Sequence, residues 1–413
     1  MSLETLHPEA FLGLAGLRLL SLSQNKLTRL PKRLLEPVPK LEKLFLGGKT
    51  DEHWQVFMEG NLLETFPVGF FAHTPDLRIL DLSENKLQTW TKASGTLRKL
   101  EVLDLQNNAI TQLPADAFQG LPALQLLGLH NNTLSELPSQ IFQKLLALRD
   151  VDLSNNMLSE LPADIFHGLR SLQKLRIYNN TLVELPTDIF HGLTSLQKLS
   201  LNNNMLSELP AKIFHGLTSL RKLYIGHNKL ARLPARIFQG LPALQKLSVY
   251  NNTLSELPAE LFCGLSSLQK LYIGHNKLLD LPAEIFHGLT SLQKLSLNNN
   301  KLLELPAEIF HGLRSLQKLY IEHNKLAGLP VGIFQHLPAL WLLSLYNNML
   351  SELPVRIFQG LPGLQLLALY DNMLSELPAK VFHGLTSLQV LYLDKNKLVA
   401  LPSICNKGVS CPD

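Results

Sequence analysis

The chain has 413 residues, 46% of them hydrophobic and 17% charged, with three cysteines. Thirty-eight basic against 34 acidic residues leave a net charge of +4, too balanced for a dedicated nucleic-acid binder, and three cysteines cannot build a disulfide-rich scaffold. No apolar run reaches the roughly 18 residues of a membrane span, and the start MSLETLHPEAF lacks the charged and apolar regions of a signal peptide.

A 24-residue unit recurs along nearly the whole chain, so length measures copy number rather than domain count. Residues 1–16 read as a partial repeat, with Leu3 and Phe11 in the positions that follow a missing first strand. An asparagine then marks register at Asn25, Asn61, Asn85, Asn108 and Asn132, and every 24 residues from Asn156 to Asn396, giving sixteen units. The second unit carries twelve extra residues, KTDEHWQVFMEG at 49–60, at the corner between strand and turn. They read equally as a functional loop or as a gene-model error. They also create Gly47-Gly48-Lys49-Thr50, a half-match to a phosphate loop with no helix behind it, and nucleotide binding is not expected. The third unit, QTWTKASGTLRKL, lacks the usual proline and phenylalanine, which predicts a locally irregular outer side. The domain reading is one solenoid over residues 1–402, followed by a short tail at 403–413.

Within a unit, Leu292, Leu295, Leu297, Asn300, Leu302, Pro306 and Phe310 show the pattern. Apolar and polar residues alternate around Leu295 and Leu297, the signature of a short strand with Lys294, Ser296 and Asn298 on its outer face. One such strand buries almost nothing alone, so copies must stack into a parallel sheet. The asparagine suits the bend that follows, where its amide can pair backbone groups of neighbouring coils. Proline excludes a strand in the second half and favours extended or short 3₁₀ turns. Phenylalanines from Phe118 to Phe382 are expected to stack as an inner spine there.

This pattern resembles the extracellular, 24-residue type of the leucine-rich repeat family over residues 3 to 402. Phrases such as LSELPAEIFHGLTSLQKLSLNNNKL are similar to secreted vertebrate members, among them the carboxypeptidase N regulatory subunit, leucine-rich alpha-2-glycoprotein, beta-type phospholipase A2 inhibitors, variable lymphocyte receptors and Toll-like receptor ectodomains. The resemblance implies an α/β-type solenoid, a horseshoe with a parallel concave sheet and an irregular or 3₁₀ convex side. It also implies a non-enzymatic protein that binds other macromolecules on that sheet and works in secretions or outside the cell, its signal peptide missing from this chain. Relatives cap both ends with cysteine-rich modules. Here only Cys405 and Cys411 could close a small loop, so the chain reads as a fragment or an atypical member, with self-association through uncapped ends left open. Cys263 reads as an unpaired thiol on the convex side.

Fourteen histidines occur, mostly as products of repetition. His167, His191, His215, His287, His311 and His383 share one convex position, while His227, His275 and His323 precede the ladder asparagine on alternate coils. Alternate coils lie roughly 10 Å apart, too far for a shared zinc. No metal, cofactor or catalytic motif is expected. Asp81, Asp104, Asp150 and Asp152 read as solvated surface rather than a calcium site.

The outward strand positions carry the functional expectation. Lysine fills one register in seven consecutive coils, Lys174, Lys198, Lys222, Lys246, Lys270, Lys294 and Lys318. Beside it stand Arg176, a column of Tyr224, Tyr272 and Tyr320, and another of Tyr178 and Tyr250. Towards the C-terminus Trp341, Tyr346, Tyr370 and Tyr392 replace the lysines. Aromatic residues with cations form the composition of a recognition surface. The expected partner is a protein with an acidic surface, not a specific nucleic acid. A structural, self-assembling matrix component is the alternative, and copying without selection is the bland reading of the lysine row. Three sequons begin at Asn131, Asn179 and Asn251, and a glycan at the latter two would narrow access to the lysines.

Overall fold

A computed structural model describes residues 2–47, 60–67, 69–91 and 97–401. Residues 49–59 of the insertion, most of GGKT, residues 92–96 and the tail with Cys405 and Cys411 lie outside the described residues.

Each coil contributes one three-residue strand. The sixteen strands are numbered in chain order, from β1 (Leu19–Ser21) to β16 (Val390–Tyr392). They fall into two units, residues 1–205 and 206–413. The first holds the strands from β1 to β8 (Lys198–Ser200), and the second those from β9 (Lys222–Tyr224) to β16. Within each unit consecutive strands pair in parallel and without slip. In the second unit, for example, Lys246 lies opposite Lys222 on one side and Lys270 on the other. The fold is a parallel-sheet solenoid. The α/β-type expectation is satisfied by the sheet and by irregular turns. Among the described residues no α- or 3₁₀-helix forms.

The alternation of the strand decides what is buried. Leu295 and Leu297 are fully buried, while Lys294 and Asn298 are half-buried on the other face. Proline starts the outer half, where successive turns close through Ile309 N–H to Pro306 C=O at 3.2 Å and Leu313 N–H to Phe310 C=O at 3.2 Å. The glycine after the histidine, Gly312, has φ +84°, a conformation that side chains with a Cβ rarely adopt.

Phenylalanines fill the space these turns enclose. In the first unit Phe118, Phe142, Phe166 and Phe190 stack with centroids 6.1–6.4 Å apart. In the second unit the stack runs from Phe214 to Phe382 at 6.1–6.5 Å. Strands in a sheet stand roughly 4.8 Å apart, so within each unit the coils fan open towards the phenylalanine side. In the irregular third coil Trp90 takes the missing ring's place. It is buried and lies 6.1 Å from Phe71 and 6.4 Å from Phe66.

The bend after each strand is held by the asparagine. Asn300 Oδ1 accepts the Leu278 N–H at 3.2 Å, and its Nδ2 donates to the carbonyls of Ile273 at 3.3 Å and Leu297 at 2.9 Å. Asn61, beyond the insertion, makes the same set with Leu27, Leu22 and Leu46 at 2.8–3.1 Å. The residue before the asparagine is left-handed, with φ of 51–58° at Asn107, Asn203, His227, His275, His323 and Asn347 among others. Asn, Asp and His enter this region most readily after glycine, which accounts for the alternate-coil histidines without any metal.

Asn300→Ala would leave the buried Leu278 N–H without its partner, while the carbonyls of Ile273 and Leu297 each keep one donor, the amides of Asn276 at 2.9 Å and Asn324 at 3.1 Å. At about 1–3 kcal/mol for one unsatisfied group, a loss of about 2 kcal/mol is expected, read as a lower urea midpoint with an unchanged slope. A loss under about 0.5 kcal/mol would refute the ladder's role.

Candidate functional site

Three outward positions per coil make up the face of the sheet, and the two units use them differently. In the first unit acids accompany the cations. The Arg176 guanidinium grips Asp150 Oδ1 at 2.7 Å and Oδ2 at 3.2 Å, and reaches Asp152 Oδ2 at 3.2 Å. Lys174 Nζ lies 3.5 Å from Asp150. Parallel pairing dictates this, because Asp150 stands opposite Lys174 and Asp152 opposite Arg176. Asp81 is buried rather than solvated. Arg176 is therefore a bound cation whose donors are largely committed, and Tyr178 lies half-buried in the same coil.

The second unit carries Lys222, Lys246, Lys270, Lys294 and Lys318 in one register. Neighbours about 5 Å apart repel by roughly 0.8 kcal/mol at water's dielectric. Alternation at the next outward position relieves this. β10 (Lys246–Ser248) and β12 (Lys294–Ser296) end in serine, whereas β9, β11 (Lys270–Tyr272) and β13 (Lys318–Tyr320) end in tyrosine. The small serines leave room for their own coils' lysines to lie between tyrosine rings. Lys246 Nζ is 4.9 Å from the Tyr224 centroid and 5.2 Å from Tyr272. Lys294 Nζ is 5.1 Å from Tyr272 and 4.7 Å from Tyr320, and Lys318 Nζ is 4.5 Å from Trp341. Such contacts contribute about 0.5–2 kcal/mol each, enough to offset the repulsion. Burial first, and then the neighbouring lysines, push the Lys294 ammonium below the ordinary lysine range. Lys222 and Lys270 remain exposed.

The third outward position forms a second aromatic line. Tyr250 lies 5.5 Å from His227 and 4.5 Å from His275. Tyr346 stacks on Tyr370 at 4.3 Å with an 8° tilt, and Tyr392 meets Tyr370 edge-on at 6.1 Å. Burial, followed by Glu322 and Tyr370, pushes the Tyr346 hydroxyl up to about 12. Glycine occupies this position where the next coil presses close. A Cβ on Gly226 would sit 2.6 Å from the Tyr250 carbonyl oxygen.

Glu322 is the residue that sequence reasoning missed. It holds the position of Gly226 and Gly274, and is only 7% exposed. Burial raises its carboxyl above the ordinary range, against a hydrogen bond from Ser344 and the nearby His323 and Lys294. The available signal was a broken pattern: Ile225-Gly226-His227-Asn228 and Ile273-Gly274-His275-Asn276 become Ile321-Glu322-His323-Asn324.

The sequon asparagines Asn131, Asn179 and Asn251 are exposed in left-handed turns. Their amides contact Asn107, Asn155 and His227 at 2.6–2.7 Å. Cys263 is free and exposed. Among the described residues no three His, Cys, Asp or Glu side chains are grouped to hold a metal, and no helix is long and apolar enough to cross a membrane. A shallow hollow of about 220 Å³ at Ala115, Phe118, Gln140 and Lys144, and one of about 140 Å³ at Glu284 and His311, lie on the turns, away from the sheet face.

A leucine-rich repeat model matches stretches from residue 2 to 398, including 2–49 and, in overlapping segments, 89–398. Human podocan-like protein 1 is 36% identical over 120 residues, 28% of this chain and 20% of the relative. Mouse podocan is 33% identical over 106 residues, 25% of this chain and 15% of the relative. The matched stretches thus span a fifth or less of these curated relatives. Among solved structures, a leucine-rich repeat protein of Leptospira interrogans superposes with a TM-score of 0.79 at 33% identity, covering 94% of this chain and 92% of the other. A plant peptide hormone receptor, RGFR1 in complex with RGF2, gives 0.69 at 26% identity, covering 96% and 65%.

The histidine column yields a pH prediction. Burial, and then the charges of His323 and His227, hold His275 below the usual imidazole value of 6.5. A depressed folded pKa contributes stability that is present above the unfolded value and lost as pH falls through the folded one. His275→Asn, which retains a residue suited to the left-handed turn, is expected to shrink the drop in Tm between about pH 7.5 and about pH 5, the sides of the imidazole range. Identical pH profiles for parent and variant would refute this.

Proposed function

The chain belongs to the leucine-rich repeat family, whose repeats mediate protein–protein interaction, and from that premise we propose that it binds a protein ligand on the outward sheet face. It acts there without catalysis, as an inhibitor, carrier, regulatory subunit or immune recognition element outside the cell. The observation that carries this reading is the lysine–tyrosine lattice of the second unit. Rigid rings and partly desolvated ammonium groups share a surface with no ion pair at Lys246 or Lys294 among the described residues, a surface suited to carboxylates with flat apolar flanks. The first unit supports the same assignment by contrast, since its Arg176 is neutralised by its own aspartates. Tyr346, Tyr370 and Tyr392 would add apolar anchors. The plant receptor, solved with RGF2 bound, supports the general mode. Exposed sequon asparagines support a secretory route.

Lys222 and Lys270 are the exposed cations, so reversing both tests the surface without removing a tyrosine-held lysine. The parent and Lys222→Glu/Lys270→Glu would serve as baits in extracellular fluid, with captured proteins identified by mass spectrometry. A partner retained by the parent, and bound about tenfold or more weakly by the folded variant, is expected for two charge reversals. Equal capture by both, or capture by neither, overturns the lysine-face assignment.

A further inference from the structure

The outward face of the second unit holds one group that the lysine lattice does not use. Glu322 is more than nine-tenths buried, and its Oε2 has no hydrogen-bond partner among the described residues. Its other interactions are few: Ser344 supplies a hydrogen bond, and Lys294 and His323 lie near enough for their charges to be felt. Lys294 and Glu322 feel each other's charge, but among the described residues the two form no close ion pair, the ammonium resting between the rings of Tyr272 and Tyr320. Tyr320 and Tyr346 stand close enough for the carboxylate to raise both of their hydroxyls. His323 meets Tyr346 edge-on at 5.0 Å, and Tyr370 backs Tyr346.

We propose that Glu322, flanked by Tyr320, Tyr346 and His323, is the seat for a cationic side-chain head, an ammonium or guanidinium, presented by the bound protein. Ser344 and the residue's own backbone N–H serve the carboxylate, but a buried oxygen left unpaired is costly, and a cation removes that cost while facing aromatic rings that attract it. A hydroxyl or amide donor would fill the hydrogen bond but leave the charge unbalanced. The arrangement rests on the reading of the sheet face as a protein-binding surface, but not on the lysines as its contacts, because this seat selects the opposite charge. Lys270 lies two coils from Glu322, roughly 10 Å along the sheet. A ligand carrying acidic and basic groups at about that separation would therefore be fixed in direction along the coils.

The test uses the full chain and three small probes: N-acetyl-lysine methylamide, N-acetyl-arginine methylamide and the neutral isostere N-acetyl-norleucine methylamide. Binding is read by NMR from the carboxyl carbon of Glu322, with selective labelling, and from the Tyr346 ring. Expected are saturable shifts with both cations, a lower titration midpoint for Glu322 when either is bound, and at least tenfold weaker binding of the norleucine compound. Glu322→Gln should erase that preference, whereas Lys222→Glu/Lys270→Glu should keep it. No saturable shift with either cation, equal binding of all three probes, or a preference surviving in Glu322→Gln would each overturn the proposal. Should Glu322→Gln fail to fold, the midpoint shift in the parent decides alone. Loss of the protein partner in the lysine double variant bears on the lysine face and leaves this result untouched.

Discussion

Everything in this molecule rests on a side-chain amide that satisfies backbone groups in two coils at once. A three-residue strand is too short to hold its neighbours by ladder hydrogen bonds alone, and the bend that follows would strand an N–H and two carbonyls in an apolar interior. The asparagine accepts an N–H from the preceding coil and donates to one carbonyl of that coil and one of its own, at 2.9–3.3 Å in the case of Asn300. That contact fixes coil-to-coil register. Because register is fixed, outward side chains line up in columns, and columns are what a binding face is made from. The same amide geometry at Asn61 resumes the ladder after twelve inserted residues, so the columns on either side of the insertion keep one frame.

Column alignment concentrates like charge, and the second unit resolves this by chemistry rather than by distance. Each lysine–lysine neighbour pair costs roughly 0.8 kcal/mol in water, while each ring contact contributes about 0.5–2 kcal/mol. Placing tyrosine on every other coil lets one ring serve the lysine of an adjacent serine coil, as Tyr272 does for Lys246 and Lys294. The first unit meets the same problem with aspartates, and there the charge is cancelled. One scaffold thus offers a neutralised surface and a live one, differing only in what stands at the outward positions.

The fold was legible because its determinants repeat. Period, asparagine and phenylalanine point to one architecture, and even the histidines before the asparagine follow from the left-handed turn they occupy. The site was legible in part. Lysine and tyrosine columns can be read by counting in steps of 24, and the same count places Asp150 beside Lys174 and Asp152 beside Arg176, a neutralisation that the positive-strip expectation passed over. At Glu322 the exchange of glycine for glutamate could be read from the repeat, but its burial could not, since glutamate is ordinarily exposed. It is buried beside Tyr320 of its own coil and Tyr346 of the next, a consequence of packing between two coils.

Alternation of serine and tyrosine means that structure and surface keep different time. The backbone repeats every 24 residues, but the charged lattice repeats every 2 × 24 = 48. Arrays of near-identical units gain and lose copies during replication, and backbone stacking would accept any whole number of them. The lattice would not. Loss or gain of a single coil within it sets two serine strands or two tyrosine strands side by side, and in the first case each lysine keeps one ring instead of two, whereas a change by two coils restores the phase. Selection on this face would therefore count coils in pairs, an inheritance rule written in side-chain size rather than in the genetic repeat itself.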